Sequence, residues 1–318
     1  MDSSPLISVI IPMYNTRDYI EQTVKSVLSQ TYKKLEVVIV DDGSTDDGSK
    51  IVEELKKNDS RIKYIYQFNQ GVSAARNNAI ICSSGEYLAF LDSDDLWKPH
   101  KLEKQMNRIM STNMEACYCG YQMFCGDETG KVFPERYYEG SILPEAIKEK
   151  VSVWTSTVLI KKSIVTNNNI NFRSGLNWSE DMEFFCKLMY LCDFCCVKET
   201  LALYRQRPNS LSVAPDRLPE IGLWMDFLDW LKAAPASKLY DKRKLEKAVK
   251  EYKLPSIAIF CLYQKLINGE TPGGTFFSKV PSNLLYDFRP SLSSTGMKLL
   301  VKKLLIQYKY GYKRKAGT

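Results

Sequence analysis

The chain has 318 residues, 44% of them hydrophobic and 25% charged, and a formal net charge of +7. That is ample chain for a core in one large domain or two smaller ones, and the basic excess favours anionic partners without naming one. No run approaches the roughly 18 apolar residues of a membrane span, and Met1-Asp2-Ser3-Ser4-Pro5 lacks a basic signal-peptide region, so the expected location is the cytoplasm.

In chain order, Ile7-Ser8-Val9-Ile10-Ile11-Pro12 is a continuous apolar run, as in a strand buried on both faces. A helix capped at Thr16 or Asp18 follows, with apolar residues at Tyr19, Ile20, Val24, Val27 and Leu28. A second strand, Leu35 to Val40, ends in Asp41-Asp42-Gly43-Ser44. A helix through Ile51, Val52 and Leu55, a strand from Ile62 to Tyr66 and a helix from Gly71 to Cys82 continue the alternation. Alternating strands and helices predict a parallel, doubly wound sheet.

The next strand, Tyr87 to Leu91, runs into Asp92-Ser93-Asp94-Asp95. Carboxylates at the end of a buried strand repel one another and lose hydration, so they call for a cation. Mg²⁺ and Mn²⁺ take oxygen ligands and share them with substrate phosphates, which makes this a metal–diphosphate candidate. An Asp-rich turn capping the next helix is the other reading at this point. Doubly wound sheets bind ligands beyond the carboxyl ends of their strands, where Asp41, Asp42, Asp92 and Asp94 fall together.

Between Lys98 and Tyr138 the pattern assigns no clear order. Val153 to Ile160 reads as a strand and Ser179 to Leu191 as a helix with Glu180 and Asp181 in its first turn. Residues 216–270 are helical in pattern, with Trp224, Phe227, Leu228 and Leu231 as a core stripe. The nine cysteines, in contexts such as Phe194-Cys195-Cys196, suit reduced core thiols, and their spacings match no standard zinc site. No internal repeat is present.

The first turn, Pro12-Met13-Tyr14-Asn15-Thr16, has no G-x-G-x-x-G, and the chain has no Walker loop. It also lacks the Gly-rich basic loop of nucleotidyltransferases. Pro12 and Tyr14 instead offer a flat surface for a base, and Asp41 a carboxylate for the imide N–H of uracil. A uridine nucleotide is the expected ligand.

Val9-Ile10-Ile11-Pro12-Met13-Tyr14-Asn15, Val38-Ile39-Val40-Asp41-Asp42-Gly43-Ser44-Thr45-Asp46, Asn69-Gln70-Gly71-Val72-Ser73-Ala74-Ala75-Arg76-Asn77, Asp92-Ser93-Asp94-Asp95 and Trp178-Ser179-Glu180-Asp181-Met182-Glu183-Phe184 follow one another in order. Over roughly residues 5–215 the chain thereby resembles family 2 glycosyltransferases with the GT-A fold. The resemblance implies an α/β class, a Rossmann-like, mixed but mainly parallel sheet flanked by helices, with a helical C-terminal region. The catalytic domain would span 1–215, with a nucleotide-sugar half to about 97 and an acceptor half from 98, and residues 216–318 would form the helical region.

The same resemblance implies a metal-dependent, inverting enzyme using nucleotide-activated sugars, commonly UDP-sugars. Pro12, Tyr14 and Asp41 would hold uracil. Arg76 would contact the nucleotide or its phosphates, with an ion pair to a strand-end aspartate as the alternative. Asp92 would touch the ribose or donor sugar, with Ser93 also in the substrate-binding set. Asp94 would ligate Mn²⁺ or Mg²⁺. Asp181 would be the catalytic base, Glu180 would bind sugar hydroxyls, and Trp178 would face a sugar ring. The stretch Leu203 to Ser212 resembles a mobile loop over the donor, but Arg207 stands where a His often occurs. Arg207 cannot ligate a cation, yet its guanidinium would bind diphosphate directly. The single histidine, His100, is expected on a surface helix.

From Gly296 to the end the chain carries seven Lys or Arg and no acid, beside Leu299, Leu300, Val301, Leu304, Leu305 and Ile306. Such a tail suits a helix lying on an anionic membrane face, or a C-terminal helix packed on the body with a solvated basic end. The first reading fits a polyprenyl-diphosphate-linked glycan acceptor in bacterial surface-polysaccharide synthesis and peripheral attachment to the inner membrane face. No nucleic-acid recognition motif is present. A catalytically silent nucleotide-sugar scaffold and a nucleotidyltransferase are the competing classes.

Overall fold

The structure, a computed structural model, describes residues 4–174, 180–207 and 217–267. The chain divides into two compact units, residues 1–213 and 214–318.

The first unit opens with β1 (Ile7–Met13), α1 (Arg17–Leu28), β2 (Leu35–Asp42), α2 (Gly48–Asn58), β3 (Ile62–Gln67), α3 (Val72–Cys82) and β4 (Tyr87–Phe90). Every residue of β1, β2 and β4 is buried, as their continuous apolar runs require. The chain continues through β5 (Leu96–Trp97), α4 (Lys101–Thr112), the hairpin β6 (Ala116–Cys125) and β7 (Glu128–Phe133), and α5 (Leu143–Ile147). After these come a 3₁₀ turn (Thr155–Thr157), β8 (Leu159–Lys161), α6 (Lys162–Asn167), α7 (Glu180–Leu191) and β9 (Phe194–Arg205).

The described strands form one sheet in the order β3-β2-β1-β4-β8-β6-β9-β5, with β7 paired to β6. β1 to β4 pair in parallel, as the alternation predicts. Beyond them the sheet is mixed, since β8 runs antiparallel to β4 and β6 while β6 and β9 are parallel. The chain moves outward from β1 to β3, then returns to place β4 on the other side of β1. Connections therefore diverge between β1 and β4, and a crevice opens there at the carboxyl ends.

One sheet face packs Val9, Ile11, Val37, Ile39 and Ala89 with Val24 and Val27 of α1 and with Leu102 and Met106 of α4. Each such buried Val, Ile, Leu or Met side chain contributes about 1.5–3 kcal/mol. Phe90 meets an aromatic cluster, with Phe172 at 5.6 Å and Phe184 at 5.7 Å between ring centroids. Phe172 and Phe184 stack at 3.8 Å. Because Phe184 belongs to α7, this cluster fixes the helix whose first turn carries Glu180 and Asp181.

Two local expectations need correction. Val153 to Ile160 is not one strand, because Thr155–Thr157 forms the 3₁₀ turn and only Leu159–Lys161 pairs. The hydroxyls of Thr155, Ser156 and Thr157 donate to Asp181, Asp95 and the Trp154 carbonyl, and these contacts hold the turn. Thr16 does stand at the N-cap of α1, but its side chain makes no capping bond. Asp46, from the loop after β2, instead accepts from the Arg17 N–H at 2.9 Å. His100 precedes α4 and is exposed, 3.4 Å from Glu103.

The second unit contains α8 (Pro219–Ala233), α9 (Lys242–Ala248), a π-helical turn (Val249–Lys253) and α10 (Leu254–Ile267). Trp224, Phe227, Leu228 and Leu231 are all buried on α8, so their stripe is core. All nine cysteines are free thiols; Cys125 on the β6–β7 hairpin is exposed and Cys82 half-buried, while the others are buried.

Candidate active site

The loops after β1 and β2 are tied to each other. The Asn15 N–H donates to Ser44 Oγ at 3.1 Å, and the Thr45 N–H donates to Asn15 Oδ1 at 2.8 Å. Pro12 is buried, while the Tyr14 ring is 49% exposed at the rim. Gly43 has φ +75°, and a Cβ there would lie 2.9 Å from the Asn69 nitrogen, so the turn needs glycine twice over.

Asp41 and Asp42 end β2 with different partners. Asp42 accepts from Gln67 Nε2, the Gln70 N–H and the Gly71 N–H, at 2.7, 2.9 and 2.8 Å. Its work is to hold the loop that leads into α3. Asp41 accepts from the Ser44 N–H at 2.8 Å and from the Tyr64 hydroxyl at 2.7 Å.

The Asp-rich turn after β4 is gripped from several sides. Thr23 on α1 donates to the carbonyls of Ser93 and Asp95 at 3.0 and 2.9 Å. Ser93 itself is buried. Ser156 donates to Asp95 Oδ2 at 2.9 Å and accepts from the Asp92 N–H at 3.2 Å. From β9, the Arg205 N–H donates to Asp95 Oδ1 at 2.9 Å, and Arg205 Nε donates to the Asp94 carbonyl at 2.7 Å. Asp95 is thus wholly enclosed, and burial, with Asp94 and Asp92 nearby, pushes its carboxyl well above the usual range.

Arg76 lies buried between two carboxylates, donating through Nη1 to Glu180 Oε1 and through Nη2 to Asp92 Oδ1, each at 2.7 Å. Its guanidinium sits 5.2 Å from the Phe172 ring centroid. Burial opposes the charge, yet Asp92 and Glu180 hold it protonated above its ordinary range. The ion pair named as the alternative for Arg76 is therefore present, and it joins the Asp-rich turn to α7.

Asp94 lies 2.6 Å from Arg207 Nε, whose N–H is not aligned as a hydrogen bond to the oxygen. Burial and the neighbouring Asp92 raise the Asp94 carboxyl, while Arg207 and Arg205 counter part of that rise. Asp181 accepts from the Thr155 hydroxyl at 2.9 Å. Burial, then the charge of Glu180, push its carboxyl up to about 6, against Arg76 and the Thr155 hydrogen bond.

The sequence-derived residues Asp92, Ser93, Asp94, Arg76, Glu180, Asp181 and Arg207 are thus joined through direct contacts or adjacency at one end of the sheet. Pro12, Tyr14 and Asp41 lie on the neighbouring strand ends. Trp178 lies outside the described residues, as does the loop beyond Arg207. Sequence reasoning gave no role to Tyr64, Thr155, Ser156 or Arg205. Only Arg205 and Asp95 carried a local signal, being charged residues inside segments already singled out.

Among the described residues no three His, Cys, Asp or Glu side chains converge to hold a metal ion. The donor set nonetheless fits a cation shared with a substrate. Arg76 is committed to Asp92 and Glu180, and Arg207 faces Asp94, so an arriving diphosphate would need a further cation. One buried carboxylate, Asp94, with phosphate and water oxygens is a common Mg²⁺ arrangement.

A family model described as Glycosyl transferase family 2 matches residues 8–180, more than half of the chain. Over 126 residues the chain is 48% identical to the candidate teichuronic acid biosynthesis glycosyltransferase TuaG of Bacillus subtilis, covering 39% of this chain and 50% of TuaG. It is 30% identical over 220 residues to the uncharacterized glycosyltransferase EpsJ of the same organism, covering 66% of this chain and 64% of EpsJ. The matched stretches thus span only half to two thirds of these relatives. Among solved structures, S. aureus TarS 1–349 with UDP-GlcNAc is similar, with a TM-score of 0.68 at 18% identity, over 96% of this chain and 93% of TarS 1–349. The mannosyltransferase PcManGT from Pyrobaculum calidifontis, with GDP-Man and Mn²⁺, is similar with a TM-score of 0.60 at 16% identity, over 98% and 89%. Both likenesses are of fold, and the fold is GT-A, as the ordered motifs led us to expect.

Proposed function

The chain belongs to glycosyl transferase family 2, and we propose that it moves a hexose or N-acetylhexosamine from a UDP-sugar to a glycan hydroxyl, with inversion at the anomeric carbon. The observation that carries this reading is the Arg76 bridge from Asp92 of the Asp-rich turn to Glu180, the residue next to the raised carboxyl of Asp181. Inverting transfer needs one base and a stabilised leaving group, and the two halves of that requirement meet here.

Pro12 and Tyr14 give the uracil a face, and Asp41 accepts its imide N–H. Asp92, held by Arg76, contacts the ribose or donor sugar beside Ser93. Asp94 would hold Mn²⁺ or Mg²⁺, which neutralises charge developing on the departing diphosphate. Arg207, already beside Asp94, lies within the same charge cluster and binds diphosphate. Asp181 accepts the proton of the acceptor hydroxyl as its oxygen bonds to the anomeric carbon. The bond from that carbon to the phosphate oxygen breaks, and its electron pair leaves with UDP. Glu180 and Trp178 serve sugar hydroxyls and a sugar face.

The name of TuaG and the UDP-GlcNAc bound to TarS support a bacterial polysaccharide setting and a uridine donor. The catalytic domain spans 1–215, with donor recognition before about residue 97 and acceptor recognition in 98–215, and it is followed by a helical region whose described residues are 217–267. The acceptor is a polyprenyl-diphosphate-linked glycan, met at the inner face of the membrane through the basic tail, residues 296–318, which lie outside the described residues. No described helix is long and apolar enough to cross a membrane.

The test is UDP release from a panel of UDP-sugars with Mn²⁺ or Mg²⁺, with Asp94→Ala and Asp181→Ala as controls. Slow hydrolysis of one donor, lost in Asp94→Ala, is the expected result. Silence across the panel, with no UDP binding by calorimetry, would overturn the nucleotide reading.

A further inference from the structure

Asp41 is only 1% exposed, and each of its oxygens already receives one donor. The Ser44 N–H serves Oδ1 at 2.8 Å, and the Tyr64 hydroxyl serves Oδ2 at 2.7 Å. The first donor is backbone, so no substitution short of proline at position 44 removes it. The second comes from the neighbouring strand, where the Tyr64 ring packs against the core of the sheet. Burial, then the adjacent Asp41, raise the Tyr64 hydroxyl above its usual range, so it stays a protonated donor.

We propose that Tyr64, although it touches no substrate, determines which nucleobase Asp41 accepts. This rests on the nucleotide reading above. With a phenol O–H fixed on Oδ2 and an N–H on Oδ1, only acceptor lone pairs remain on the carboxylate. At the position of the ring nitrogen, a base must bring an N–H to meet them. Uracil N3 and guanine N1 carry one; cytosine N3 and adenine N1 are bare acceptors and would face the carboxylate lone pair to lone pair. A site built around a buried hydrogen bond rejects a partner that cannot complete it more strongly than an apolar pocket rejects a missing methyl. Removing the phenol O–H leaves the carboxylate held only at Oδ1 and free to turn about its Cβ–Cγ bond, so it no longer keeps the orientation in which it meets a ring N–H. Tyr64 is thus a positioning residue with a consequence for specificity.

The experiment measures dissociation constants for UDP, CDP, GDP and ADP by calorimetry with Mn²⁺ present, in the full chain and in Tyr64→Phe. Tyr66→Phe serves as control, because Tyr66 lies on the same strand, is largely exposed and forms a ring pair with Phe68. The wild-type chain should prefer UDP or GDP to CDP and ADP. Tyr64→Phe should shrink the CDP-to-UDP ratio of dissociation constants about tenfold, the loss expected for one hydrogen bond to a charged group, while Tyr66→Phe leaves it unchanged. A Tyr64→Phe protein that weakens all four nucleotides equally has lost packing alone, and the proposal falls. A wild-type chain that binds UDP and CDP alike overturns it and leaves the nucleotide reading standing. Failure of the wild type to bind any of the four removes both.

Discussion

The Thr155 hydroxyl donates to Asp181 Oδ2 at 2.9 Å, so a residue of a 3₁₀ turn holds a carboxylate in the first turn of α7. The bond favours the ionised carboxyl and offsets part of the rise caused by burial and Glu180. Thr155→Val keeps the shape and deletes the donor. The acidic limb of the kcat/KM profile, set near pH 6 by Asp181, should then move to higher pH by about half a unit to one unit, the equivalent of one modest hydrogen bond. An unmoved limb would show that Asp181 does not govern it.

Asp181→Asn should lower kcat by roughly 10² to 10⁴, the usual contribution of a general base, with UDP affinity retained. Its effect on stability has the opposite sign. The folded protein binds the Asp181 proton more tightly than an ordinary Asp does, so this group favours folding below the usual carboxyl range and loses that contribution as pH rises through about 6. At neutral pH Asp181→Asn should therefore raise Tm by about 1–3 °C, measurable by calorimetry. A lower Tm would argue that the carboxylate is structural.

Arg76 is the only cation placed directly between Asp92 and Glu180 among the described contacts. Arg76→Ala leaves two carboxylates unpaired at a buried site and should cost about 3–5 kcal/mol. Denaturant unfolding should read this as a lower midpoint with little change in slope. Arg76→Lys keeps the charge but loses the fork, so it should fall between the two. Wild-type stability in Arg76→Ala would mean that the triad contributes nothing to the fold.

Arg207→Ala should raise the donor KM about tenfold, as expected for losing a charge-assisted contact. Initial rates at saturating acceptor and fixed Mn²⁺ measure it. Unchanged donor kinetics would take Arg207 out of the site.

A chelator should stop UDP release, and added Mn²⁺ or Mg²⁺ should restore it. Asp94→Asn should blunt the restoration. Full turnover in excess chelator would leave Asp94 and its guanidinium neighbour to act without a metal.

Deleting residues 296–318 should abolish sedimentation with anionic liposomes while the remaining chain stays folded by circular dichroism. Retention of the truncated protein on the liposomes would place membrane attachment elsewhere.

Much of the fold was legible because strands buried on both faces have a plain signature. The runs ending at Met13, Asp42 and Phe90 are mainly apolar, with Ser8 and Glu36 as exceptions before the strand-end aspartates, and the structure buries each of them completely. The segment from Val153 to Ile160 misled for the same reason. Its β-branched residues look like a strand, but Thr155 and Ser156 hydrogen-bond to Asp181 and Asp95, and tertiary partners override local propensity.

By itself the sequence determined the order of carboxylate-bearing strand ends, and hence that Asp41, Asp92 and Asp94 would share one edge of the sheet. Backbone periodicity is local, so it survives in a one-dimensional record. Which carboxylate is loaded with which partner was decided only by the tertiary structure. Asp42 and Asp95 are consumed by the scaffold, Asp94 faces a guanidinium, and Asp181 is raised by burial beside Glu180. The settings of Asp41, Asp95 and Asp181 depend on Tyr64, Thr155, Ser156 and Arg205, whose distance along the chain from their partners ranges from 23 to 110 residues. Hydrogen bonding and desolvation act over a few ångströms of space, and separation along the chain does not encode that distance.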